Sequence, residues 1–465
     1  MALLFHAFSI PRHWYIFDAN TNCVFSVNKE QYKALSEIEN GVETPKNLTI
    51  LKQFQDKGFC LDVNIEKIEN PDGELIYAHL NKKIQQCTLQ ITQECNLRCD
   101  YCAYSGIYSN RMHSPKTMSF ETAKRIINFV LARSGDTYKL AFGFYGGEPL
   151  LELNLIKKCV TYIKMQAPER EIFFTITTNG TLLVPEIYDY LINNSFNIII
   201  SLDGPKQVHD ASRKFPDGSG SYDIIMSNIR KIQKQYPDVS DKVNFIAVIN
   251  PEIEEESCLQ NLFKSNDIIP FYNLLSSFVN DLYSENETTY SDSFTLVYNR
   301  EHCKYLLHLL GKLSKKNISP LMNGLDAQYK DQYKQLARIN KMPSVCHPGG
   351  PCIAGALRLF ADVNGNFFPC ERVSESSKLM KIGDVNNGFD YEQVRLIMNP
   401  GKVTEEQCKV CWAFARCNLC AAFCDDLSEL SKKMRLSRCV RVRFQTENTL
   451  KTICFLKESG YSFEQ

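Results

Sequence analysis

Three cysteines fall within eight residues, Cys95-Asn-Leu-Arg-Cys-Asp-Tyr-Cys102, directly after a strand-like run, Thr88-Leu-Gln-Ile-Thr92. This spacing lets one loop wrap three sulfurs around a single inorganic object. A cubane iron–sulfur cluster normally takes four cysteine thiolates, so a loop supplying three leaves one iron open to another ligand. Zinc is the alternative, but it prefers four closed ligands in paired hooks, and this loop has an odd three. A second concentration of thiols comprises Cys346, Cys352, Cys370, Cys408, Cys411, Cys417, Cys420, Cys424 and Cys439. Its hooks Cys408-Lys-Val-Cys411 and Cys417-Asn-Leu-Cys420 suit a zinc ribbon as well as a cluster.

These groups need a scaffold. Apolar runs at 140–145, 172–176, 197–201 and 243–249 alternate with helical patterns at 120–133, 154–165, 185–193 and 222–235. Such alternation predicts a parallel β/α sheet or barrel, with ligands at the C-terminal strand ends. Polar motifs fall there: Gly146-Gly-Glu-Pro149, Thr177-Thr-Asn-Gly-Thr181, and Ser201-Leu-Asp-Gly-Pro205 followed by His209-Asp-Ala-Ser-Arg213. Glycines let backbone approach a ligand closely, a carboxylate holds an ammonium, and a guanidinium suits a carboxylate. Val248 and Ile249 suit adenine packing and core packing equally.

Ahead of this region, Tyr15–Asp18 and Cys23–Val27 flank an Asx-rich turn and read as a β-hairpin, followed by helical stretches at 29–39 and 48–57. A later stretch, Leu357 to Cys370, reads as a hairpin with an Asn-Gly turn that returns Cys370 toward Cys346 and Cys352. The 465 residues imply two or three domains, and 44% hydrophobic with 23% charged content is that of a soluble globular protein. Lys+Arg 53 balance Asp+Glu 53, so no bulk field draws the chain to nucleic acid. No signal peptide or spanning run is evident, so a cytoplasmic location is expected and no membrane partner. In a reducing compartment the 19 cysteines argue for metal rather than disulfides.

The loop C-x3-C-x2-C with an aromatic before its last Cys resembles the signature of radical S-adenosylmethionine (SAM) enzymes, and the strand-end motifs follow in that family's order. The resemblance implies that Cys95, Cys99 and Cys102 hold a [4Fe–4S] cluster whose open iron chelates SAM. It implies that Gly146, Gly147 and Glu148 line the methionine amino end, Ser201 and Asp203 face the ribose, and Arg213 pairs with the carboxylate. Tyr101 would sit against the adenine, and Asn179 joins the cofactor-binding set. The spacing C-x12-G-x4-C, a gap, C-x2-C-x5-C and a late Cys resembles the SPASM domain, which holds two auxiliary [4Fe–4S] clusters. By that resemblance the first uses Cys346, Cys352, Cys370 and Cys420 or Cys424, with Cys420 preferred, and the second uses Cys408, Cys411, Cys417 and Cys439. Maturases of anaerobic sulfatases, which the chain also resembles, carry an acidic base at the position of Glu371, implying that Glu371 takes a proton.

The expected fold is α/β, a partial (β/α)6 TIM-like barrel with a small N-terminal winged-helix-like peptide-recognition domain and a cysteine-rich C-terminal SPASM domain. The expected boundaries are 1–72 for leader recognition, 80–275 for the barrel, 276–344 for a helical linker, 345–443 for SPASM and 444–465 for a tail. The resemblance implies a maturase that cross-links a ribosomally made precursor peptide with a leader, aided by an electron donor such as flavodoxin or ferredoxin. The alternatives are an anaerobic sulfatase-maturing enzyme, which makes formylglycine, or a non-catalytic iron–sulfur or zinc scaffold.

Overall fold

The computed structural model describes residues 4–62, 65–105, 108, 111–237, 243–252, 274–284, 288–336, 341–348 and 352–464. Cys258, residues 285–287 and Gly349-Gly-Pro351 lie outside the described residues.

The chain opens with three antiparallel strands, β1 (Phe5–Ile10), β2 (His13–Asp18) and β3 (Cys23–Val27), so the expected hairpin gains a strand in front. Two helices follow. Lys29–Glu39 starts at a capping box between Asn28 and Gln31, and Pro45–Gln55 starts at a Thr44 cap with Pro45 in its first turn. One face of the sheet, with Phe5, Ala7 and Ile16, shares a core with Leu35, Ile38, Leu51 and Phe54 of these helices. On the other face Leu4, Phe8, Tyr15 and Phe17 join Leu450, Ile453 and Leu456 of the final helix, Lys432–Glu458. Tyr15 also donates to Glu458 Oε1 at 2.6 Å. The N-terminal unit is therefore not self-contained. Its sheet is layered between its own helices and the far end of the chain, and residues 444–465 are not a tail, because the boundary at 443 falls inside a continuous helix.

The remaining strands run as β4 (Lys67–Ile68), β5 (Gln86–Thr92), β6 (Arg98–Cys99), β7 (Leu140–Gly146), β8 (Ile172–Thr178), β9 (Phe196–Ser201), β10 (Arg213–Lys214), β11 (Val243–Ile249) and β12 (Leu274–Phe278). Within these, β5, β7, β8, β9, β11 and β12 lie side by side and parallel, a six-stranded partial barrel. Helices at 120–132, 153–166, 185–193 and 222–235 make crossovers between them. The strands read as near-continuous apolar runs because they are buried on both faces; Leu89, Phe142, Phe144, Phe174, Ile176, Ile198 and Ile200 are all in the core. β12 begins within the expected barrel and extends into the expected linker. Leu275, Ser276 and Ser277 in it are exposed, so no apolar run announces it.

Beyond the helices Asp292–Leu309 and Leu325–Leu336 come β13 (Val345–Cys346), β14 (Leu359–Ala361), β15 (Asn366–Phe368), β16 (Gly383–Asp384) and β17 (Gly388–Phe389). β14 pairs in parallel with β5, and β15 to β17 continue the same sheet antiparallel, making ten strands in all. The cysteine-rich region is thus joined by backbone hydrogen bonds to the strand that leads into the three-cysteine loop. β13 pairs with β4, so residues expected in the N-terminal domain hold Cys346. Among the described residues no helix is long and apolar enough to cross a membrane.

Candidate active site and its cysteine groups

The three-cysteine loop leaves the C-terminal end of β5 and is held from three sides. Gly147 N donates to Thr92 O and Glu148 N to Glu94 O, each at 2.9 Å, which lays the Gly-Gly-Glu turn against the loop's first residues. A Cβ on Gly147 would sit 2.1 Å from Glu94 O, and Gly146 has φ +146° with its own Cβ position 2.0 Å from Thr92 O. Only glycine fits this contact. On the second side, β6 within the loop pairs with β10 and sets Cys99 opposite Arg213. On the third, Asn179 Nδ2 reaches Asn96 Oδ1 at 2.8 Å and Cys95 Sγ at 3.9 Å, while Asn96 donates to Thr181 Oγ1 at 2.8 Å. Leu97 N and Tyr104 N donate to Cys95 and Cys102 sulfurs, each at 3.4 Å.

The three thiols are close enough to influence one another electrostatically, and burial pushes Cys95 and Cys99 up to about 12. Thiolates in this loop therefore need adjacent positive charge, the condition a bound cluster meets. N–H donors aimed at sulfur and a loop that supplies three thiols are the kind of donor set that a [4Fe–4S] cluster takes. Among the described residues no three His, Cys, Asp or Glu side chains converge on a single metal ion.

Glu148 is fully buried. Its carboxylate accepts from Leu150 N at 3.0 Å, Thr178 Oγ1 at 2.8 Å and Asn179 N at 2.7 Å, tying the end of β7 to the end of β8. Burial pushes its pKa up to about 7 against those hydrogen bonds. Asp203, beyond β9, is buried and receives Arg213 Nε at 2.8 Å and its terminal nitrogen at 3.1 Å. It also accepts from Val248 N at 2.9 Å and from the Tyr101 hydroxyl. The guanidinium lies 5.3 Å from the Tyr101 ring centroid. Asp203 and Arg213, expected to meet the ribose and the carboxylate, are thus paired with each other, and Val248 contributes a backbone lock. Ser201 ends β9 two residues before Asp203.

Sequence reasoning gave His209 no role, yet it is buried and its Nδ1 accepts from Asp203 N at 3.3 Å. Its Nε2 lies 2.9 Å from Ser221 Oγ, which donates to Arg213 O at 2.8 Å. Burial, with Arg213 nearby, lowers it to about 4, so the ring is neutral, as an accepting Nδ1 requires. The signal was its place in the quoted His209–Arg213 stretch.

Arg111 was also missed. Its side chain is buried with Nε 2.6 Å from Glu375 Oε1, and it donates to Glu371 O at 2.6 Å and Val373 O at 3.2 Å. Gln90, buried in β5, donates to Tyr104 and to Glu375, each at 2.7 Å. Glu371 follows Cys370, takes a 3.2 Å ion pair from Arg358, and acts electrostatically on half-buried Tyr145, which also feels Cys102. Glu371 is thus brought to the side of the barrel mouth that carries the three-cysteine loop.

In the second concentration of thiols, Cys352, Cys370 and Cys420 influence one another, while Cys424 neighbours Cys420 and donates to Ala421 O at 3.3 Å. Cys346 belongs to the core group of Ile68, Cys408 and Phe414. Cys408, Cys411, Cys417 and Cys439 form a further coupled set.

Residues 89–257 match the Radical SAM superfamily. This stretch is a radical SAM domain. The cysteine-type anaerobic sulfatase-maturating enzyme of Clostridium novyi (strain NT) is 29% identical over 192 residues, 40% of this chain and 49% of that protein. The match therefore spans about half of that relative, and likewise 46% of the serine-type enzyme of Bacteroides thetaiotaomicron, which is 31% identical. A longer match covers 72% of this chain and 88% of the cysteine-type enzyme of Clostridium perfringens (strain 13 / Type A), at 25% identity over 345 residues. The solved structure of native anSMEcpe with bound AdoMet has a TM-score of 0.55 at 20% identity, covering 78% of this chain and 99% of that one. The α/β radical SAM fold stands on these likenesses, and such a domain implies SAM and a [4Fe–4S] cluster. The relatives named are enzymes, in keeping with the expected enzyme class.

Proposed function

We propose that this chain is a radical SAM maturase acting on a ribosomally made peptide, with a leader captured at β3 and two auxiliary clusters in the cysteine-rich region. The observation that carries the reading is an open sheet edge in a chain that also carries a radical SAM domain. Among the described residues β3 pairs only with β2, and an extended peptide adds to such an edge through main-chain hydrogen bonds. The anSMEcpe fold is almost wholly contained in this chain, which has about a fifth more without counterpart there. That surplus favours a substrate-recognition function beyond a sulfatase maturase's. The likeness to cysteine-type and serine-type anaerobic sulfatase-maturating enzymes favours the second reading, oxidation of a sulfatase Cys or Ser.

When bound, the cluster and SAM supply a 5′-deoxyadenosyl radical that abstracts hydrogen from an unreactive C–H bond. Cys95, Cys99 and Cys102 hold that cluster. Asn179 orients the loop through Asn96, and Glu148 fixes the Gly146-Gly147 turn so that its backbone meets the methionine amino end. Asp203 holds Tyr101 at the adenine side and aims the remaining N–H donors of Arg213 at the carboxylate, while Ser201 meets the ribose. Glu371 accepts the proton released as the product forms. Cys352, Cys370 and Cys420, with Cys346 or Cys424, hold one auxiliary cluster, and Cys408, Cys411, Cys417 and Cys439 the other.

The test compares holoenzyme with SAM and reductant on a leader-bearing precursor, the same peptide without its leader, and a sulfatase-derived peptide. Loss of two hydrogens from the leader-bearing peptide alone is the expected result. Formylglycine in the sulfatase peptide, with no change in the precursor, would overturn this reading in favour of the second.

A further inference from the structure

Arg435 is the largest fully buried side chain among the described residues, at 1% exposure. It sits in the first turn of the helix Lys432–Glu458, four residues before Cys439, so both project from one helix face. Its Nε donates to Thr404 Oγ1 at 3.1 Å, and one terminal nitrogen donates to Leu419 O at 2.9 Å. The other terminal nitrogen lies 4.0 Å from Cys417 Sγ. Thr404 Oγ1 in turn lies 3.2 Å from Cys408 Sγ. The guanidinium therefore touches one sulfur of the coupled set directly and a second through one hydroxyl, and its charge also acts on Cys439 and Cys424.

Its polar partners are all neutral oxygens and sulfur. Among the described residues no Asp or Glu pairs with Arg435, whereas Arg111, Arg213 and Arg438 each have a carboxylate. A guanidinium stays charged in proteins, and a buried cation without an opposite charge is strongly unfavourable. The fold nonetheless encloses its largest buried side chain here. The groups around it that can become anionic are cysteines.

We propose that Arg435 is the built-in counter-charge of the site formed by Cys408, Cys411, Cys417 and Cys439, and that it raises the reduction potential of the iron–sulfur cluster held there. This rests on the reading that these four thiols bind a cluster. Four thiolates around a [4Fe–4S] core leave a net negative charge that grows by one on reduction, so a fixed cation stabilises the reduced form more. Net charge and hydrogen bonds to sulfur are what set such potentials. The consequence is an electron acceptor. In the proposed turnover the substrate loses a hydrogen atom to the deoxyadenosyl radical, then one electron and one proton as its new bond forms. The electron enters this cluster and leaves to an oxidised one-electron carrier such as a flavodoxin or ferredoxin, and the proton goes to Glu371. Arg435 touches neither substrate nor SAM; it is a positioning residue acting through sulfur.

The test is a dye-mediated redox titration of anaerobically reconstituted holoenzyme, followed by electron paramagnetic resonance, for wild type, Arg435→Gln, Arg435→Lys and Lys432→Gln. Lys432 is exposed on the same helix and controls for general loss of charge. Arg435→Gln should shift the midpoint of one cluster to a more negative value, and every other midpoint by less. Arg435→Lys should shift it less, and Lys432→Gln not at all. Full iron loading in Arg435→Gln with every midpoint unchanged would overturn the proposal. If Arg435→Gln loses iron, retention by Arg435→Lys supports a charge requirement, and equal loss in both overturns it. The underlying reading fails separately: a Cys408→Ala/Cys411→Ala variant that keeps all its iron would show that no cluster sits there.

Discussion

The buried pair Arg111–Glu375 joins the segment after the three-cysteine loop to the cysteine-rich region far along the chain, and breaking it should unsettle both. The side chains are 2% and 10% exposed. Burial raises the Glu375 pKa while Arg111 opposes the rise, so the carboxylate depends on its partner. Removing one member of a buried ion pair typically costs about 3–5 kcal/mol, because the survivor keeps an uncompensated charge. At about 2.1 cal/mol/K per residue, 465 residues give an unfolding entropy near 1 kcal/mol/K. Arg111→Met or Glu375→Gln should therefore lower Tm by about 3–5 °C in differential scanning calorimetry of anaerobically purified protein. The double variant leaves no buried charge, and the introduced glutamine can still bond Gln90, so most of the loss should return. A double variant whose Tm falls by the sum of the singles would refute coupling across this pair.

Gly147→Ala must displace Glu94 and with it Cys95, so iron content should fall by about one cluster and SAM binding should be lost, as read by iron assay and equilibrium dialysis. Glu148 holds its proton up to about pH 7 in the folded protein but releases it near 4.5 when unfolded. Between those values the native state binds more protons, so this group makes stability fall as pH rises, by roughly 3 kcal/mol in total. Chemical unfolding from pH 5 to 7 should show a steeper decline in wild type than in Glu148→Gln; equal slopes would contradict the assignment. Tyr101→Phe removes the hydroxyl that bonds Asp203 and keeps the ring, so SAM affinity should drop by less than about tenfold, whereas Asp203→Ala, which strands Arg213, should drop it by more than about a hundredfold. Isothermal titration with SAM separates the two.

The chemistry legible in the sequence was that in which local spacing is the requirement. Three thiols on one loop, and glycines where backbone meets backbone at Glu94, must recur at fixed distances along the chain. The parallel strands were legible because burial on both faces forces apolar runs. β12 was not, since three of its five residues are exposed. Long-range partners left no periodic trace: Arg111 meets Glu375, and Cys346 is held by Lys67–Ile68, through folding alone. Arg435 sits in a helix whose first half is dense in Lys and Arg, which reads as a solvated face. The same polarity hid the packing of Leu450, Ile453 and Leu456 under the N-terminal sheet.

The proposed radical SAM centre comprises the loop Cys95–Cys102 and the strand ends around it. Anaerobically reconstituted protein, given SAM and a strong reductant, should form 5′-deoxyadenosine, and the Cys95→Ala/Cys99→Ala/Cys102→Ala variant should form none. Full iron loading without any 5′-deoxyadenosine from the wild type would contradict it.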